Sequence, residues 1–244
     1  MRSLVVFTIL ATKLFADNKV EGTFVILDPK TGEIQTTDAK LAETGFLPAS
    51  TYKLPNTLIG LETGVVPDEH FALAWDGKDR GRPEWNRDQD LVSALRDSVV
   101  WFYQEIARRV GERRMQAWLD KLGYGNRKPT CAGKPCIDEF WLRGDLRITP
   151  LEQVTFLYRL RAGALPVSAA HRDLLLRILP DQGGFVGKTG TTRQDGHVIA
   201  WLVGYAGDRP YALLLRAPEG DLDRVTALRR GLAEALLREA HALP

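Results

Sequence analysis

The chain has 244 residues, 44% hydrophobic and 26% charged, enough to bury a substantial core in one domain or two intertwined ones. Its 33 basic and 31 acidic residues are interspersed and leave a net charge of +2, so neither a nucleic-acid partner nor a membrane surface is indicated. No apolar run reaches the ~20 residues of a membrane span, and the four histidines are scattered without metal-binding spacing, so no metal is expected.

At the start, Met1-Arg2 followed by Leu4 to Ala11 has the basic residue and short apolar run of a secretory signal, and reads also as an ordinary first strand kept in the protein. Thr23 to Leu27 predicts a buried strand, Asp28 to Gly32 a turn, and Glu33 to Thr37 the hairpin partner. After Pro48-Ala49 comes Ser50-Thr51-Tyr52-Lys53. On a helix, positions three apart share a face, so the Ser50 hydroxyl and the Lys53 amine can meet. A serine needs such a partner, because its hydroxyl must lose a proton as it attacks. The first turn of a helix also offers unpaired N–H groups to developing negative charge, and the setting suits acyl transfer. Taken alone, a serine at a helix start is an N-cap. Pro55, which cannot donate to the Thr51 carbonyl, predicts some distortion of this helix.

Helical periodicity then dominates to about Leu179, over Val99 to Val110, Arg113 to Lys121, Pro150 to Arg161 and Ala169 to Leu179. Arg108, Arg109, Arg113 and Arg114 alternate with Glu105 and Glu112 and read as a solvated helix face. Cys131 and Cys136 lie in a Gly- and Pro-rich loop, where an oxidising compartment would allow a local disulfide and a metal would lack further ligands. Strands return at Phe185 to Lys188, Val198 to Gly204 and Tyr211 to Arg216, and a closing helix spans Leu222 to His241. The two ends of the chain, 1–47 and 181–244, are therefore expected to build one antiparallel sheet flanked by terminal helices. Residues 48–180 form a helical region, so the fold class is α/β in the α+β sense, with a cleft between the two regions holding Ser50.

Lys188-Thr189-Gly190 follows the strand-like Gly184 to Gly187 and precedes Thr191-Thr192. With Ser50-x-x-Lys53 and Ser98-x-Val100 upstream, the order of motifs resembles the penicillin-recognising serine enzymes. Pro48 to Gly64, Ser98 to Gly111, Tyr124-Gly125-Asn126, Phe140 to Gly144 and Trp201 to Tyr205 narrow the resemblance to the class D serine β-lactamases, from about Leu14 to the C-terminus. In that family Leu14-Phe15-Ala16 falls in the first helix.

The resemblance implies hydrolysis of the β-lactam amide through an acyl-enzyme on Ser50. Lys53 would be carboxylated by CO2 or bicarbonate, with no bound cofactor and no metal, and would serve as general base for acylation and deacylation. Burial in an apolar pocket would leave its amine neutral enough to react. Val100, Trp141 and Leu142 match the pocket around it, and the Trp141 N–H matches the family's donor to the carbamate. Ser98 would relay a proton to the departing nitrogen and Lys188 would add positive potential. The N–H groups of Ser50 and Thr191 match the oxyanion hole. Thr189 and Arg229 would bind the substrate carboxylate, with Arg224 and Arg230 as neighbours able to take the place of Arg229, and Gly190 and Thr191 would also contact the substrate. Tyr52 stands where phenylalanine is more usual and is expected to bring a hydroxyl beside the nucleophile.

The partners implied are β-lactam antibiotics, in the bacterial periplasm or outside the cell, for a monomer or homodimer. Two departures bear on substrate: the cysteine loop lengthens the connection to Trp141, and His197 to Trp201 differs from the family's tryptophan-rich strand. A β-lactam sensor domain that stays acylated, or a D,D-peptidase acting on cell-wall peptides, would share several of these motifs. The peptidase gives no reason for Phe140 to Gly144 or for Tyr124-Gly125-Asn126.

Overall fold

Along the chain, β1 (Leu4–Val6), α1 (Ile9–Asp17), β2 (Glu21–Leu27), β3 (Ile34–Thr36) and α2 (Ala39–Ala42) precede a 3-10 turn, Ala49–Tyr52, that runs into α3 (Lys53–Glu62). The short strands β4 (Ala72–Leu73) and β5 (Gln89–Asp90) are followed by α4 (Leu91–Arg96), α5 (Val100–Val110) and α6 (Glu112–Leu122). A small hairpin, β6 (Thr130–Cys131) and β7 (Lys134–Pro135), leads to α7 (Pro150–Arg161) and α8 (Ala169–Arg177). Three long strands, β8 (Val186–Gln194), β9 (His197–Ala206) and β10 (Arg209–Pro218), precede α9 (Leu222–Glu239). The computed structural model describes residues 4–6 and 9–244, with side chains from residue 13 onward.

The two ends of the chain meet in one six-stranded sheet of order β1-β3-β2-β10-β9-β8. Every pairing is antiparallel except β1 with β3 at one edge, which is parallel. Both faces of the sheet are covered, because successive strand residues point to opposite sides and nearly all are apolar. Val25, Leu27, Trp201, Val203 and Leu214 join the helical core with Leu58, Phe102, Leu119 and Leu157. Phe24, Ile26, Ala200, Leu202 and Leu213 meet Phe15 of α1 and Val225, Leu232 and Leu236 of α9.

The helix starts follow local chemistry. Thr149 and Glu152 form a reciprocal capping box around Pro150 at the first position of α7, which therefore begins where the sequence places it. Pro55 falls in the first turn of α3, where its N–H would have no intrahelical partner, and the expected distortion appears one step earlier as the 3-10 turn. Strand β8 runs past Lys188 to Gln194 because Gly190 to Thr192 continue the ladder with Trp201 to Ile199. The closing helix ends at Glu239, and His241 turns to φ +53°. Met1-Arg2 of the signal-like start lies outside the described residues, while Leu4 to Val6 is a strand and Leu14-Phe15-Ala16 lies in α1.

Cys131 and Cys136 are joined as a disulfide across the β6–β7 hairpin. Asp145 anchors that hairpin, accepting from Thr130 Oγ1 at 2.6 Å and from the N–H groups of Ala132 and Gly133. Next to it, Asn126 exchanges hydrogen bonds with the 145–147 segment, its Nδ2 donating to the Asp145 carbonyl at 2.8 Å and its Oδ1 accepting from Arg147 N–H at 3.0 Å. Between them Gly125 adopts φ +53°, and a Cβ there would lie 2.1 Å from the Arg147 carbonyl oxygen. Only glycine fits both the left-handed backbone and the contact. We expect Gly125→Ala to cost about 2–4 kcal/mol and to lower the melting temperature by roughly 5–10 °C, read by differential scanning calorimetry.

Candidate active site

Ser50 occupies the 3-10 turn, where side chains three apart eclipse, and Lys53 Nζ donates to Ser50 Oγ at 2.8 Å. The turn is held from four distant parts of the chain. Trp201 Nε1 donates to the Leu47 carbonyl at 2.9 Å, and Gln194 Oε1 accepts from Leu47 N–H at 2.8 Å. Ala49 N–H donates to the Trp141 carbonyl at 3.0 Å. Thr51 Oγ1 donates to the Pro48 carbonyl at 2.7 Å and accepts from Gln153 Nε2 at 2.8 Å. Fixed this way, Ala49 is kept at φ +49°, a left-handed conformation that costs a non-glycine residue of order 1 kcal/mol. Ser98, just before α5, is held likewise at φ +58°.

Strand β8 presses against this turn. A Cβ on Gly190 would stand 3.0 Å from the Pro48 carbonyl oxygen and 3.1 Å from the backbone nitrogens of Ser50 and Thr51, so the absent side chain sets how closely strand and turn approach. Thr192 Oγ1 donates to the Leu142 carbonyl at 2.7 Å, which ties the Trp141-Leu142 segment to the same strand.

Both lysines are buried. Lys53 has no exposed surface, and burial, then the charge of Lys188, holds its amine well below the ordinary lysine range. Its Nζ lies 5.4 Å from the centre of the Tyr103 ring. Lys188 donates to Ser98 Oγ and to the Thr189 carbonyl, each at 3.0 Å, and burial followed by the charge of Arg229 pushes it down to about 7. Trp141 stacks on Tyr52 at 5.2 Å and buries its indole N–H with no hydrogen-bond partner among the described residues. An orphaned buried donor is costly, so the pocket suits an acceptor.

A cavity of about 290 Å³ opens on Ser50 and is lined by Ser98, Val100, Leu142, Thr189, Gly190, Thr191 and Arg229. Lys53, Lys188 and Trp141 lie behind this lining. Arg229 donates to the Gly190 carbonyl at 3.2 Å and to Thr191 Oγ1 at 2.9 Å, and burial lowers it to about 10. Its neighbours are engaged elsewhere: Arg224 with Asp221 and the Asn18 carbonyl, Arg230 with the Gln182 carbonyl. Of the three arginines, Arg229 is the one that reaches the cavity.

Tyr52 corrects one expectation. Its side chain is fully buried, its hydroxyl donates to Met115 Sδ at 3.0 Å, and it does not line the cavity. The residue lies one side of the turn from Ser50, so its ring packs into the helical core rather than towards substrate. Five lining residues were not singled out in the sequence: Arg82, Trp85, Leu222, Asp223 and Thr226. Helical spacing back from Arg229 gives Thr226 and Asp223, whereas nothing local in the 79–90 loop marks Arg82 or Trp85. A larger groove of about 710 Å³ between α1, α2 and the sheet carries no serine–lysine pair. Among the described residues no three His, Cys, Asp or Glu side chains converge.

Residues 22–169 match the family model described as the penicillin binding protein transpeptidase domain. The chain is 38% identical over 200 residues to β-lactamase OXA-5 of Pseudomonas aeruginosa, covering 79% of this chain and 73% of that one. It is 35% identical over 238 residues to β-lactamase OXA-48 of Klebsiella pneumoniae, covering 94% and 87%. The crystal structure of a class D β-lactamase from Sebaldella termitidis superimposes with a TM-score of 0.90 at 30% identity, covering 100% of both chains.

The depressed Lys188 has a consequence for stability. An unfolded lysine titrates near its ordinary value of 10.5, so between about pH 7 and 10.5 the unfolded chain binds the extra proton and stability rises with pH. Below about 7 the burial penalty of the charged amine is fully present. Lys188→Met removes the group, so the melting temperature of the variant relative to the parent is expected to be most favourable below pH 7 and to decline steadily towards pH 10. Thermal scans of both proteins across that range check it, and a flat difference contradicts the assigned burial effect.

Proposed function

The chain belongs to the class D serine β-lactamases, and from that premise we propose that Ser50 is the nucleophile, Lys53 its base, and Ser98 with Lys188 the proton relay to the departing nitrogen. The reaction is hydrolysis of the β-lactam amide bond. The observation that carries the assignment is the Lys53 amine, fully buried and 2.8 Å from Ser50 Oγ.

Ser50 Oγ attacks the lactam carbonyl as its proton passes to the Lys53 side. The N–H groups of Ser50 and Thr191 receive the carbonyl oxygen as it becomes negative, and the absent side chain of Gly190 leaves room between them. Ser98 then donates to the lactam nitrogen as the amide bond breaks, and is reprotonated from Lys188, whose value of about 7 lets it hold or release a proton near neutrality. Arg229 and Thr189 hold the substrate carboxylate. Val100 and Leu142 give the apolar lining that limits access of water to Lys53. A water deprotonated on the Lys53 side then releases the acyl group from Ser50.

Carboxylation of Lys53 by CO2 fits this pocket, because the amine is neutral through burial and the Trp141 N–H lacks an acceptor. The carbamate, when present, supplies an anionic oxygen base for both halves of the reaction. Val100, Trp141 and Leu142 would hold it.

The proposed division of the chain at 47/48 and 180/181 falls between α2 and the Ser50 turn and between α8 and β8. The Cys131–Cys136 disulfide supports a bacterial periplasmic or extracellular setting for a monomer or homodimer. The matched relatives are named as β-lactamases, so the non-hydrolysing sensor gains no support.

Ser50→Ala is expected to abolish covalent labelling by a penicillin, and a penicilloyl adduct persisting in the intact mass of that variant would exclude Ser50. Trp141→Phe keeps the ring and removes the N–H, so it should weaken the carbamate by roughly tenfold or more in bicarbonate while shifting the melting temperature little. The carbon-13 NMR signal of the carbamate, followed against bicarbonate concentration, measures this directly. A large fall in melting temperature with an unchanged bicarbonate dependence would make Trp141 a packing residue.

A further inference from the structure

Four residues of α9 line the reaction cavity: Leu222, Asp223, Thr226 and Arg229. Asp223, Thr226 and Arg229 recur at a spacing of three, so each neighbours the next along a ridge that winds about the helix, and all three line the cavity. Asp223 is the one carboxylate among the lining residues, in a cavity that otherwise presents Arg82 and Arg229 and has Lys188 behind it. Its neighbours Asp221 and Arg224 pair with each other at 2.6 Å, whereas no ion pair or hydrogen bond engages Asp223 among the described residues.

We propose that Asp223 is a specificity-determining residue that receives a cationic substituent carried on the ring carbon beside the carboxylate-bearing carbon of a cephalosporin. The proposal rests on the reading that Arg229 holds the substrate carboxylate. Six residues on, with about 9 Å of rise and about 120° of turn, the Cα atoms of Asp223 and Arg229 stand about 10 Å apart. In a pyridiniomethyl cephalosporin the cationic nitrogen lies three bonds of about 1.5 Å from the carboxylate-bearing carbon. With a contact of about 3 Å at either end, carboxylate and cation span a comparable length. The two charges of such a substrate therefore match the two charges of the helix row, anion to Arg229 and cation to Asp223, with Thr226 between. Arg82, which also lines the cavity, is paired with Glu84 at 3.9 Å, whereas Asp223 is the lining carboxylate left to meet the cation.

The test uses two cephalosporins with the same thienylacetamido side chain, one bearing pyridiniomethyl and the other acetoxymethyl beside the carboxylate carbon. The second-order rate of acylation at Ser50 is measured for each, which reads binding and attack without depending on deacylation. The ratio of the cationic to the neutral substrate is expected to fall about two- to fivefold in Asp223→Asn, the range of an exposed ion pair, and further in Asp223→Lys. The parent ratio should fall towards the Asp223→Asn value as salt is raised. An acidic residue in a first helical turn also stabilises the helix. If that is its whole role, Asp223→Asn lowers the melting temperature and leaves the ratio unchanged, which overturns the proposal. Arg229→Ala separates the two readings. Slower acylation by both cephalosporins in that variant, with an unchanged ratio in Asp223→Asn, removes Asp223 alone; no slowing of either removes the placement of the carboxylate and the proposal with it.

Discussion

Burial of the Lys53 amine is the constraint on which the rest of the structure depends. Taking an ammonium out of water is expensive, so the site favours the neutral amine, the form with a lone pair. Pocket walls of that kind need bulky apolar and aromatic groups: Tyr103 of α5 stands beside the Lys53 amine, and Phe140 and Trp141 pack on Tyr52, the residue before it. The same low dielectric makes any anion formed there dependent on donors. The unpartnered Trp141 N–H is therefore a feature of the pocket's chemistry and also its weakest point as packing.

The proposed roles of Lys53 and Ser50 require that the serine keep its place beside the buried amine. Ser50 lies in a turn that would not hold its backbone alone, because Ala49 sits in a left-handed conformation. Hydrogen bonds from Trp201, Gln194, Trp141 and Gln153 over-determine the turn, and each donor or acceptor comes from a different element. The strain is offset by this shell of contacts, an arrangement that fixes reacting groups more tightly than a loop could. Tyr124-Gly125-Asn126 and the Cys131–Cys136 hairpin act one step further out, since they fasten the segment that carries Trp141.

Charge in the cavity follows from the same layout. Lys188 comes from β8 and Arg229 from α9; burial lowers both, and the charge of Arg229 lowers Lys188 further. The cationic wall suits an anionic substrate, and the face of α9 continues outward from Arg229 to Thr226 and Asp223. On the proposed reading, discrimination among β-lactams would fall to the cavity residues of α9 and the 79–90 loop, away from the groups proposed to carry the chemistry.

Much of this was legible in residue order. The short, continuous apolar runs at 23–27, 198–204 and 211–216, bounded by turn residues, read as strands buried on both faces, and the capping box at Thr149 and Glu152 fixes the start of α7. The Ser50 to Lys53 spacing predicts that hydroxyl and amine meet, since three residues bring side chains together in any tight helical turn, here a 3-10 turn. Contacts between residues far apart in the chain were not legible. Nothing local to Arg224, Arg229 or Arg230 says which one reaches Gly190 and Thr191, because the answer depends on how α9 rotates against β8. Nothing local to Tyr52 says that its hydroxyl turns to Met115, because helix packing decides which side of the turn is core. The sequence by itself determined which groups can do chemistry, a property of residue type and short spacing. Tertiary structure alone decided which of them share one cavity and which are denied water, because burial is a property of the whole packed chain.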